Sequence, residues 1–138
     1  MNKASLQLHH IGCLVRDIDQ TMANFKLLVN GAPASPAVRV ASQKVWVVFL
    51  PLHGGLLLEL VQPDPDNRFL NRLLDRGTSF YHLAYLTSDL SKTEIEWIQT
   101  GAKLLTRFSS EAFEGRECVF LLTTEGQMLE LIAAPGAS

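Results

Sequence analysis

His10 opens the stretch His-Ile-Gly-Cys-Leu-Val-Arg-Asp-Ile, and His82, 72 residues further on, opens His-Leu-Ala-Tyr-Leu-Thr-Ser-Asp-Leu. Each copy closes on a near-identical phrase, Leu58-Glu59-Leu60-Val61 in the first and Leu129-Glu130-Leu131-Ile132 in the second. The His-to-Glu spacing is 49 residues in one copy and 48 in the other. An internal repeat of this length is the signature of a duplicated supersecondary unit. The chain is therefore constrained to form the same unit twice, with an imidazole on its first strand and a carboxylate on its last. Two histidines and two glutamates at matching places are more than packing alone requires.

The 138 residues make one domain's worth of chain, 47% apolar and 19% charged, which fits a globular protein with a proper core. A net charge of −2 and the lack of any Lys/Arg run give no electrostatic case for nucleic acid. The amino-terminal residues lack the apolar core of a signal peptide, and the longest apolar run, Val45 to Leu52, is too short to span a bilayer. Cys13 and Cys118 fall in predicted strands without a Cys-x-x-Cys spacing, as small buried hydrophobes of a reducing, cytoplasmic compartment do.

Leu8 to Val15 reads as a strand, followed by a helix from about Asp19 to Val29 with Met22, Phe25 and Leu28 or Val29 as its buried stripe. In the second copy, Ser91-Lys92-Thr93-Glu94 reads as a capping box, with Leu90 and Ile95 placed to staple across it and Ile95 and Ile98 continuing the apolar face. Asn30-Gly31-Ala32 and Thr100-Gly101-Ala102 read as the same helix exit. Strand composition then returns over 37–41, 45–51 and 56–61 in copy one, and over 103–108, 117–122 and 127–133 in copy two. His53-Gly54-Gly55 and Thr124-Glu125-Gly126 are turn chemistry that joins the last two strands of each copy as hairpins. Each copy thus reads β-α-β-β-β. Between them, Asp64-Pro65-Asp66 opens a helix whose Phe69, Leu70, Leu73 and Leu74 share one face and whose stop is Gly77.

Strand alternation places Leu8, His10, Gly12 and Leu14 on one face, and Phe80, His82, Ala84 and Leu86 on the equivalent face of the second copy. The residue two along from each histidine is small, which leaves room beside the imidazole. Leu57, Glu59 and Val61 share a face, as do Met128, Glu130 and Ile132. Each glutamate is embedded in apolar sequence with no Lys or Arg in its strand, so once buried it must be protonated, paired or metal-bound. A single strand histidine is most often a satisfied core or edge residue, and a single strand glutamate most often points to solvent; recurrence at the same place in both copies reverses that reading. His9 and His53 have no counterpart in the other copy and read as structural or exposed.

The arrangement resembles the vicinal oxygen chelate superfamily, which includes glyoxalase I, methylmalonyl-CoA epimerase, extradiol dioxygenases and bleomycin-resistance proteins. The resemblance covers about Leu8 to Ala134 and rests on His10-Ile-Gly, Leu58-Glu59-Leu60, His82-Leu-Ala and Leu129-Glu130-Leu131. It implies an α+β fold: one domain over 1–138, in which two tandem β-α-β-β-β modules (about 6–63 and 79–134, linker helix about 64–77) form a cupped, mostly antiparallel sheet around a metal site. Carried over position by position, the implied ligands are His10, Glu59, His82 and Glu130, with Glu59 and Glu130 as the implied catalytic groups. Mixed nitrogen and oxygen ligation suits Zn, Ni, Co or Mn. Within the superfamily the chain is most similar to methylmalonyl-CoA epimerases, in Phe49-Leu-Pro-Leu and in Pro63-Asp-Pro-Asp-Asn-Arg-Phe-Leu followed by a helix, Gly77 and Tyr81-His82. It departs from them at Ser42-Gln43-Lys44-Val45, where epimerases carry an acid/base glutamate.

The resemblance therefore implies a metal-dependent isomerase or epimerase that moves a proton next to a carbonyl, with an acyl-CoA thioester as one substrate class. A glyoxalase I-like lyase is the alternative enzyme, and a resistance-type protein that sequesters a small molecule is the alternative without chemistry. A dioxygenase is disfavoured, because Glu59 occupies a fourth ligand place that a two-His, one-carboxylate triad leaves open. The expected partners are a small-molecule substrate and a second copy of the chain in a homodimer, with neither nucleic acid nor membrane.

Overall fold

β-Branched and leucine-rich runs bounded by Gly, Pro and Asp set the strands of this chain, and the computed structural model describes residues 4–136. Its strands are β1 (Leu6–Leu14), β2 (Val38–Val40), β3 (Val45–Pro51), β4 (Leu57–Pro63), β5 (Phe80–Thr87), β6 (Lys103–Ser110), β7 (Arg116–Leu122) and β8 (Met128–Ala133). Its helices are α1 (Ile18–Asn24), α2 (Arg68–Asp75) and α3 (Leu90–Gln99). Among the described residues no helix is long and apolar enough to cross a membrane. The chain forms two compact units, one of residues 10–81 and one that joins the residues up to His9 with those from His82 onward.

In the unit of residues 10–81, β2 pairs antiparallel with β3, β3 antiparallel with β4, and β4 parallel with β1. The other unit repeats the scheme: β6 pairs antiparallel with β7, β7 antiparallel with β8, and β8 parallel with β5. A parallel first-and-last pair needs a crossover, and in each module the helix after the first strand supplies it. The start of β1 belongs with the second unit, where Ser88 N–H donates to the Ser5 carbonyl at 3.1 Å.

The helices cover one face of each set of strands. In the first unit Cys13, Val15, Ile18, Val48, Leu50, Leu58 and Leu60 form a buried cluster against which Met22 and Phe25 pack. In the second, Leu90, Val119, Leu121 and Leu131 do the same with Tyr85 and Trp97. Period-two alternation then assigns the intervening residues, including both histidines and both glutamates, to the opposite face.

Three local expectations are corrected. The first helix ends at Asn24 rather than near Val29, and a 3₁₀ turn over Lys26–Leu28 follows. The chain there bonds to the end of the β3–β4 hairpin instead: Val29 bridges Leu52, and Asn30 N–H donates to the Pro51 carbonyl at 3.0 Å. The cap of α3 is Asp89, not Ser91; its carboxylate accepts from Lys92 N–H at 3.1 Å, which puts Leu90 inside the first turn and buries it. The buried side of α3 is accordingly Leu90, Thr93 and Trp97, while Ile95 and Ile98 are exposed. Thr93 is tolerated there because its hydroxyl bonds to that of Thr87 at 2.7 Å. Finally, α2 begins at Arg68 with Asn67 as its cap, and its Phe69 is 57% exposed rather than part of the packed face, which consists of Leu70 with Leu73 and Leu74 half-buried.

Two features of the repeat were not read from the sequence. After β2 and after β6 the chain makes a 3₁₀ turn, Ala41–Gln43 and Glu111–Phe113, and then a left-handed residue that is not glycine, Lys44 (φ 54°) and Glu114 (φ 56°). In the first unit the buried Asn67 ties this turn to α2, donating to the Gln43 and Lys44 carbonyls at 2.9 and 3.2 Å and accepting from Leu70 N–H at 3.1 Å.

Candidate metal centre

His10 lies on β1 and Glu59 on β4, whose parallel register sets Gly12 beside Glu59. On the other side of β4, Phe49 of β3 is the antiparallel partner of Glu59. The row Gly12–Glu59–Phe49 therefore crosses three strands, and His10 sits one pleat away on the same face. His10 is fully buried and Glu59 is 5% exposed, with His10 Nε2 at 3.3 Å from Glu59 Oε1. The Phe49 ring meets the His10 ring edge-on, centroids 5.2 Å apart at 65°.

The second unit builds the same row from different residues. Ala84 lies beside Glu130 and Phe120 opposes it across β7. His82 is 5% and Glu130 4% exposed, and His82 Nε2 is again 3.3 Å from Glu130 Oε1. Phe120 meets the His82 ring edge-on at 5.2 Å and 78°, and Phe108 of β6 stacks behind Phe120 at 5.5 Å. The structure thus brings His10 together with Glu59, and His82 together with Glu130, each pair on the sheet face turned away from its module's helix.

The donor set and its geometry fit a metal ion. A separation of 3.3 Å is long for a charge-assisted hydrogen bond, normally about 2.7–2.9 Å. Two ligands of one ion with bonds of about 2.1 Å lie about 3.0 Å apart at a right angle and about 3.4 Å apart at the tetrahedral angle. An imidazole with a carboxylate, in a buried apolar frame, is also what zinc, nickel, cobalt or manganese takes. His10, Glu59, His82 and Glu130 are accordingly donors that could hold a metal ion.

Phe49 and Phe120 are the residues that sequence reasoning missed as parts of the site. The signal was present: each phenylalanine precedes its glutamate by ten residues. Packing an aromatic edge on each imidazole restricts ring rotation and so fixes which nitrogen faces the carboxylate.

Other candidates fall away. Glu117, a possible second acid/base group, points to the helix-side face of β7, where Arg107 reaches it at 3.3 Å and Glu94 of α3 at 2.6 Å. The hydrogen bond to Glu94 is the largest cause that raises the Arg107 pKa above the ordinary guanidinium value; burial works against it, and the charges of Glu94 and Glu117 add to the rise. Glu114 is exposed in its left-handed turn. His53 is exposed, and His9 packs edge-on against Phe113 at 5.1 Å. Both cysteines are free and buried, and burial pushes the Cys13 thiol up despite a contact with the Ser79 hydroxyl at 3.7 Å, so it is a poor nucleophile.

Comparison with known proteins places these rows in a wider setting. The model of the Glyoxalase/Bleomycin resistance/Dioxygenase superfamily matches residues 9–134. No curated protein matches the chain. Among solved structures, a variant of methylmalonyl-CoA epimerase from Streptomyces coelicolor in complex with 2-nitronate-propionyl-CoA aligns with TM-score 0.77 at 22% identity, over 97% of this chain and 99% of that one. The methylmalonyl-CoA epimerase of Mycobacterium tuberculosis aligns with TM-score 0.75 at 23% identity, over 93% and 88%. A hypothetical protein from Bacillus halodurans C-125 aligns with TM-score 0.76 at 21% identity, over 94% and 95%.

Proposed function

The chain belongs to the glyoxalase/bleomycin resistance/dioxygenase superfamily, and from that premise we propose that it is a divalent-metal-dependent enzyme that moves a proton at the carbon next to a carbonyl, in the manner of an epimerase acting on an acyl-CoA thioester. The observation that carries this reading is the repeated His–Glu pair, buried and 3.3 Å apart in both modules. His10, Glu59, His82 and Glu130 would hold such an ion, which would act on the substrate carbonyl as a Lewis acid.

The chain's own residues do the rest. His10 and His82 are the neutral ligands, held in orientation by Phe49 and Phe120. Glu59 and Glu130 are the groups that can carry a proton. Each is buried in its strand between two leucines, which places its carboxylate in an apolar setting. Gly12 and Ala84, the neighbours in register with the two glutamates, are small residues that add little bulk beside either carboxylate. The acyl-CoA class is supported by relatives whose names and complexes carry it.

A second reading has its own observation. Ser42 and Gln43 occupy the 3₁₀ turn after β2 with no carboxylate between them, so a two-base epimerisation must take its second acid from the glutamate pair. An isomerase or glyoxalase-like lyase step, which needs one base, asks for less.

Solvent deuterium exchange into candidate acyl-CoA thioesters by metal-loaded protein tests the proposal. Wild type should exchange the proton next to the carbonyl, and Glu130→Gln should lower the rate by about 100-fold or more. Undiminished exchange in Glu130→Gln removes that residue from the chemistry. No exchange with any thioester or 2-oxoaldehyde adduct overturns the enzymatic reading in favour of a sequestering protein.

A further inference from the structure

The described arginines divide into two groups. Arg16 bonds to Asp75 at 2.9 Å, Arg39 to Asp64, Arg107 to Glu94 and Glu117, and Arg116 to the Phe113 and Ala133 carbonyls at 3.0 and 2.9 Å. Arg68, Arg72 and Arg76 are exposed, and none of them has a carboxylate within ion-pair distance among the described residues. All three belong to α2 or its C-cap. A spacing of four residues places them within one quadrant of the helix, over a length of about 12 Å. Asp75, the carboxylate at the edge of this quadrant, is already engaged by Arg16. Asp64 and Asp66, before the helix, are engaged by Arg39 and Lys44.

Phe69 lies on the same side. It precedes Arg72 by three residues and Arg76 by seven, and it is 57% exposed while Leu70 beside it is buried. An exposed phenylalanine bordered by uncompensated guanidiniums is costly to display without a use: the ring gives up burial, and the like charges repel along the helix. Together they offer forked donors for phosphate oxygens and a flat apolar face for a purine ring. The helix itself is firmly seated, since Asn67 caps it and ties it to the turn after β2.

We propose that this side of α2 binds the phosphorylated adenosine head group of an acyl-CoA, with Arg68, Arg72 and Arg76 on its phosphates and Phe69 stacked on its adenine. The helix follows directly on β4, the strand that carries Glu59, so a head group held here lies on the same continuous segment of chain as one carboxylate of the reaction. The assignment deepens the acyl-CoA reading and rests on it, but head-group binding requires neither metal nor turnover. The two can therefore fail separately.

The test is calorimetric titration of the full chain with adenosine 3′,5′-bisphosphate, and with inorganic pyrophosphate as a phosphate-only probe. Wild type should bind the bisphosphate with an affinity that falls as salt is raised. The triple variant R68A/R72A/R76A, all at exposed positions, should bind at least about tenfold more weakly with an unchanged circular dichroism spectrum. Phe69→Leu should weaken the bisphosphate by about fivefold or more and leave pyrophosphate unaltered. Absence of wild-type binding, or equal binding by the triple variant, overturns the site. Equal affinity for the two probes, insensitive to Phe69→Leu, overturns the nucleotide assignment and leaves a surface that attracts polyanions only. Loss of deuterium exchange on thioesters with head-group binding intact would instead indict the proton-transfer reading.

Discussion

The two modules place a histidine, a glutamate and a phenylalanine at matching positions, yet they support them differently. In module one Phe49 is followed outward by the short β2, with Val38 opposite Val47; in module two the longer β6 sets Phe108 opposite Cys118 and stacks its ring on Phe120. The helices differ too: α1 has seven residues and hands over to a 3₁₀ turn, whereas α3 has ten. What both keep is the His–Glu separation of 3.3 Å. The lesson is that the geometry of the pair depends on strand register and pleat, which both copies share, and tolerates wide variation in what lies behind it.

The strongest test of that equivalence removes one histidine at a time. His10→Ala and His82→Ala should each weaken divalent-metal binding by more than the 10–100-fold or so that loss of an outer-shell partner costs, as read by metal content after dialysis. Should one variant retain a full equivalent of tightly held metal, that histidine is not a ligand. The next test concerns the core. Leu60 and Leu131 follow the two glutamates and are 0% and 1% exposed on the helix-covered faces. Leu60→Ala and Leu131→Ala should each cost about 2–5 kcal/mol in urea unfolding. A cost below about 1 kcal/mol for either would show that its module contributes little to the cooperative unit. The smallest effect is expected where the copies differ. Phe108→Val gives β6 the residue type that module one has at Val38, and should cost only about 1–2 kcal/mol with metal content unchanged. Loss of metal in this variant would mean that the stacked pair positions His82 and is more than packing.

Much of this was legible in the residues. The repeat set the number and order of the elements, because apolar alternation and turn residues recur at the same offsets, and β3 was bounded correctly from its composition and flanks. The small residues beside each histidine and the phenylalanine ten residues before each glutamate were there to be read as well. Helix boundaries were not. Asp89 and Ser91 are both competent caps by type, and only the packing of Leu90 and Thr93 against the strands selects the first. The chain beyond Phe25 is helical by pattern, but a hairpin edge distant in sequence competes for its backbone groups and wins. The exposure of Phe69 beside three arginines likewise depends on packing, because the sequence places Phe69 and Leu70 side by side and only the seating of α2 buries the second and leaves the first to solvent. The sequence alone determined which donors exist, how many times, and in what strands, since those follow from residue type and period. Tertiary structure decided which donors meet, at what distance and with which ring against them, because register between strands far apart in the chain is settled by long-range packing and backbone pairing.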